Sequence, residues 1–160
     1  MNDAIERVLA LPDEPARRAL LENLSNALTP TESSDLADAL KAQADHYLRA
    51  ELATAFQFAH LLLYWGELTH NPFHCALGLR AEANALSIGQ GHYREALAKY
   101  NEAAAIYRNA GRTLDEAKAQ IGKVWPLAGL GQYDEALACG EWIAGCWRRM
   151  RSGISWQILV

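Results

Sequence analysis

The sequence predicts an all-α protein made of antiparallel helical hairpins stacked as a short solenoid, and three observations carry that expectation. The block GQGHYREALA at 89–98 returns 40 positions later as GLGQYDEALA at 129–138, with seven of the ten residues identical. Self-similarity at a fixed period of this size is the signature of a repeat architecture. After each copy of the block, apolar residues recur three and four apart, the spacing of one helix face. Residues that start and stop helices, such as Asn71–Pro72 and Gly111, punctuate these runs.

Taken in order, short helices are expected over 3–11 and 14–27, separated by Pro12 and closed before Pro30. A helical stretch from Ser34 to Leu68 is too long for one globular helix, so a break is expected near Asp45–Arg49. Asn71 as cap and Pro72 in the first turn open a helix over 72–89. The next, over 93–110, carries Tyr93, Ala96, Leu97, Tyr100, Ala103, Ala104 and Tyr107 on one face, and Gly111 stops it. Glu95 and Glu135 fall in the first turns of their helices, where a carboxylate suits the positive pole of the dipole. Thr113 followed by Glu116 reads as a capping box for a helix over 113–129. Pro126 removes a backbone donor there and is expected to bend the helix. A last helix covers 133–149. Three parts follow: an N-terminal helical segment 1–50 that either caps the array or stands apart from it, repeats over 51–149, and an apolar tail 150–160.

Composition bounds the function. The 160 residues are 51% hydrophobic and 21% charged, ordinary for a folded domain. With a net charge of -4, no basic field exists to gather nucleic acid or anionic lipid, so neither is an expected partner. The richest apolar stretch, Ala53 to Trp65, is interrupted by Gln57 and His60 and is too short to span a membrane. The N-terminus lacks the pattern of a secretory leader. Cys139 and Cys146 lie seven apart on one expected helix, about 10.5 Å between α-carbons, too far for a disulfide. With Cys75 they read as thiols of a cytoplasmic protein.

Gly91, Tyr93, Ala96 and Tyr100 resemble the Gly-x-Tyr-x-x-Ala pattern of the tetratricopeptide repeat, with its aromatic four residues on. The second copy keeps Gly131, Tyr133 and Ala136 but has Gly140 in place of the aromatic. A period of 40 is similar to the longer variant found in large bacterial proteins, where the array often precedes a caspase-like peptidase or regulatory domain. No segment here resembles that peptidase. The resemblance implies a protein-interaction module with no cofactor and no catalysis, and a concave groove for a peptide or helix. The alternative it leaves open is a non-catalytic fragment of a larger effector or signalling protein.

Repeat register places Gly78, Ala81, Ala85, Ile88 and Gly89 in the groove, then Lys118, Ile121, Trp125, Ala128 and Gly129. Arg80, Asn84 and Lys118 are the groups that could hold a terminal carboxylate. Trp125 is the best single anchor, because interface energy concentrates in aromatics; packing between hairpins is the other use for it. His70, His74 and Cys75 carry metal-ligand chemistry, but Pro72 puts His70 ahead of the helix, and no further ligand is evident. Trp142 and Trp147 in the last helix, with Trp156 and Ile158 in the tail, form apolar surface that either mediates self-association, a homodimer being the simplest product, or is closed by the tail folding back over the end of the array.

Overall fold

The computed structural model describes residues 3–151, with the side chain of Met150 excepted. The tail residues Trp156 and Ile158 lie outside the described residues. Among those described there are eight α-helices and no strand. The fold is all-α.

Helix α1 (Asp3–Ala10) turns Ile5 and Val8 inward, and α2 (Glu14–Ser25) turns in Leu21 and Leu24. Asp13 caps α2 by accepting from the Ala16 amide at 2.8 Å. Helix α3 runs over Pro30–Tyr47, four residues earlier at its start than expected. Pro30 opens this helix: its missing donor costs nothing at the first position, and its fixed φ suits the helix. Thr29 and Glu32 form a reciprocal capping box, with the Thr29 amide donating to Glu32 at 2.9 Å and the Glu32 amide to Thr29 Oγ1 at 3.3 Å. The expected break lies between α3 and α4 (Leu52–Leu68).

Asn71 caps α5 (Pro72–Asn84) through the Phe73 amide at 3.0 Å. Helix α5 then continues into a π-helical segment, Ala85–Gln90. Helices α6 (Tyr93–Asn109), α7 (Thr113–Gly129) and α8 (Tyr133–Arg151) complete the chain. Gly91, Gly111 and Gly131 follow α5, α6 and α7 with φ of 69°, 67° and 76°, the left-handed turn that glycine adopts without a Cβ penalty. The capping box expected at Thr113 is not formed. Arg112 occupies the cap position with no side-chain bond, and Glu116 is buried in an ion pair with Arg108 at 2.7 Å. Pro126 is fully buried inside α7, and the helix continues past it to Gly129.

From α3 onward each helix packs on the next, α1 packs on α2 and α3, α2 packs on α4, and α3 also meets α5 while α5 meets α7. One layer therefore holds α3, α5 and α7, and the other α2, α4, α6 and α8: stacked antiparallel hairpins in a short solenoid. The largest core joins α1, α2, α3 and α4 with Ala81 of α5, so it runs straight across residue 50. At its centre Trp65 is fully buried, its indole N–H donating to the Ser33 carbonyl at 3.1 Å. Further along, α6 and α7 approach so closely that a Cβ built on Gly122 would lie 2.3 Å from the Tyr100 ring. One on Gly129 would lie 2.4 Å from Tyr93.

Candidate functional site

Where α5 steps across to α7, a cleft of about 350 Å³ opens. Asn84, Ser87 and Ile88 supply one wall, at the junction of α5 with its π-helical segment. Ile121, Gly122 and Trp125 of α7 supply the other, with the Tyr100 side chain between them and Arg49 at the rim. Four residues placed in the groove from the sequence are thus brought together: Asn84, Ile88, Ile121 and Trp125. Trp125 is 65% exposed, and Ile88 and Ile121 are about half exposed at 47% and 48%. Three large apolar side chains left open to water around one concavity are the arrangement expected of a docking surface.

The polar side of the cleft is a chain of hydrogen bonds reaching inward. The Tyr100 hydroxyl donates to Asn84 Oδ1 at 2.5 Å, and the Asn84 amide donates to Asp45 at 2.9 Å. Asp45 in turn pairs with Lys41, whose side chain is almost wholly buried. Burial is the main cause on both tyrosine and lysine: it raises the Tyr100 pKa to about 12 and lowers that of Lys41. The two bonds hold Asn84 in one orientation. Ser87 is only 2% exposed, and its Oγ has no hydrogen-bond partner. A buried hydroxyl without a partner is uncommon, and here it borders the cleft. A π-helical turn inside an α-helix is likewise found often at functional sites.

The other groove residues lie elsewhere. Ala85 is completely buried, Ala81 belongs to the large core, and Gly78 abuts Leu63 of α4. Direct packing of α3 and α4 on α5 closes this part of the concave face, so the open groove is confined to the α5–α7 step. Arg80 is half-buried beside Tyr107 and does not line the cleft. Lys118 is exposed and pairs with Asp115 at 3.1 Å. Arg80, Asn84 and Lys118 consequently do not converge on one point as a carboxylate clamp. Sequence reasoning missed Arg49 and Ser87. A basic residue at an expected helix break was the only signal for the first, and nothing local marks the second.

A second cleft, about 690 Å³, lies among α6, α7 and α8, and Trp142 lines it with Leu97, Leu127 and Cys139. Its polar lining is largely satisfied, with Glu116 held by Arg108 and the Cys139 thiol donating to the Gln120 carbonyl at 3.3 Å. Trp147 is 45% exposed and does not line this cleft. Five positions separate the two tryptophans, about 140° around the helix, so they do not share one face.

His74, the buried histidine, is locked between Thr69 Oγ1 at 3.1 Å and the Asn71 amide nitrogen at 3.2 Å. Thr69 already donates to the Trp65 carbonyl, so its oxygen accepts from His74 Nδ1–H, and Nε2 accepts from Asn71. This neutral tautomer satisfies every partner, and burial lowers the His74 pKa against the weaker pull of Asp38. His70 lies on the surface with φ of 49°, and Cys75 is wedged under Gly66. Among the described residues no group of three or more His, Cys, Asp or Glu is placed to hold a metal ion. Nor is any described helix long and apolar enough to cross a membrane.

No protein-family model, curated protein or solved structure matches the chain.

Proposed function

We propose that the chain is a protein-interaction module of the tetratricopeptide kind that binds a peptide or helix across the α5–α7 step and performs no catalysis. The observation that carries this reading is the cleft itself: Trp125, Ile121 and Ile88 exposed around a hydrogen-bonded Asn84 and the unpartnered Ser87 hydroxyl. An apolar side chain of the ligand stacks on Trp125, and a backbone carbonyl beside it accepts a hydrogen bond from the Ser87 hydroxyl. Arg49 at the rim favours an acidic neighbour in the ligand. The three thiols are all free, in keeping with a reducing, cytoplasmic setting.

The test is selection from a random peptide library displayed on phage, followed by titration of the enriched peptides. Recovered ligands are expected to carry a large apolar anchor and to lose at least about tenfold in affinity on Trp125→Ala, a residue whose exposure leaves the fold intact. Ser87→Ala is expected to weaken the same peptides by a smaller factor. If no ligand is enriched, or if the enriched ones ignore Trp125, Ile121 and Ile88 alike, the groove is not the binding site.

A further inference from the structure

The internal repeat lets one face of α8 be compared with its counterpart in α6. In α6 the stripe Tyr93, Leu97, Tyr100, Ala104 and Tyr107 faces the following helix, α7, which supplies Gly129 opposite Tyr93 and Gly122 opposite Tyr100. Tyr100, Ala104 and Tyr107 are each no more than 3% exposed, closed in by α7 together with α5, on which Tyr107 stacks through Phe73 and Tyr100 bonds to Asn84. Forty positions on, the same stripe in α8 reads Tyr133, Leu137, Gly140, Ala144 and Trp147. Helix α8 packs its other side on α7 through Ala136, Ile143 and Cys146. Among the described residues nothing covers the stripe: Tyr133 is 65% and Leu137 66% exposed. It is one half of a helix–helix contact whose other half is built once already in the same molecule.

The geometry points to a second copy of α8 as the occupant, packed antiparallel about a two-fold axis at Gly140. Three features favour this partner. The stripe is large at both ends and small in the middle, so antiparallel self-pairing sets Tyr133 against Trp147 of the other copy. A Cβ built on Gly140 meets nothing within 4 Å, so two such helices can approach closely at that point. The ends of α8 also carry opposite charge, with Asp134 and Glu135 in the first turn and Arg148, Arg149 and Arg151 in the last. An antiparallel pair apposes these ends twice, with Asp134 facing Arg148 of the other copy on the same flank. Within one chain those two residues are 14 positions apart, about 21 Å along the helix, and do not meet. This interface leaves the α5–α7 cleft free, and it stands or falls separately from the function proposed above.

Sedimentation equilibrium of the full chain tests it. A concentration-dependent dimer is expected. Gly140→Leu is expected to leave a folded monomer, since leucine favours a helix over glycine and only the close approach is lost. Asp134→Arg and Arg148→Asp are each expected to raise the dimer Kd on the order of tenfold, because one reversal turns two attractions into repulsions. The double reversal restores the dimer, a rescue that neither a fold-back segment nor an unrelated helix reproduces. A monomer at every concentration overturns the proposal, as does a dimer indifferent to Gly140→Leu or not rescued by the double reversal. If shortening the chain after Arg151 converts a monomer into a dimer, the tail covers the stripe in the intact protein and the second copy is not its occupant.

Discussion

Tyr100 joins the fold to the cleft. Its ring fills the space left by the missing side chain of Gly122, and its hydroxyl holds Asn84 toward Asp45. Gly122→Ala should therefore destabilise even though alanine is the better helix former. Overpacking against a rigid, buried ring costs about 1–3 kcal/mol and the propensity gain returns ~1 kcal/mol, a net loss of up to about 2 kcal/mol by urea unfolding. Gly140→Ala, compared at a dilution where the chain is monomeric, meets no neighbour and should stabilise by up to ~1 kcal/mol. A pH effect belongs to His74. Its folded pKa lies below the ordinary 6.5, so the unfolded chain binds the proton more readily. The stability it contributes is fully present above pH 6.5 and is lost as pH falls from there through the folded value. His74→Gln should flatten this part of the stability–pH curve, and an unchanged slope would refute the assignment. Repeat register placed Ile121 and Trp125 on the side of α7 that lines the cleft; it put Ala85, which is completely buried, and Arg80, which does not line the cleft, in the same groove.

At the level of elements, the sequence and the structure part company where one local signal has two uses. Thr113 and Glu116 have capping-box spacing, yet Glu116 is drawn into the ion pair with Arg108. Thr29 and Glu32 have the same spacing and do form the box. Between them sits Pro30, which reads as a stop when it follows a helix and as a start when a capping residue precedes it. Exchanging each threonine for alanine separates the two cases. Thr29→Ala should cost about 1 kcal/mol, within the range for lost caps, and Thr113→Ala should cost almost nothing. Equal losses in thermal or urea unfolding would mean that the cap at Thr29 is not made in solution. The turn glycines were legible because each of those positions has positive φ, which one residue type favours. The π-helical segment was not, because the hydrophobic period carries no sign of a single wider turn.

For the whole molecule, stability should fall along the chain. Helix α4 is packed by α2, α3 and α5 and buries Phe58, Leu61, Leu62 and Trp65, whereas α8 rests mainly on α7 and leaves its second apolar stripe in water. In an array whose repeats contact only their neighbours, an end helix can open without the rest, so local and global unfolding free energies separate. Native-state hydrogen exchange is expected to show α4 amides exchanging only through global unfolding and α8 amides through a cheaper opening. Identical exchange free energies in both helices would mean one cooperative unit and no gradient. The same measurement also reads the proposed self-association: mass action protects what the second copy covers. Raising the protein concentration through the dimer Kd should slow exchange in α8 while leaving α4 unchanged, and Gly140→Leu should abolish that difference. A uniform response in both helices would show that association stabilises the fold as a whole instead of closing the exposed stripe.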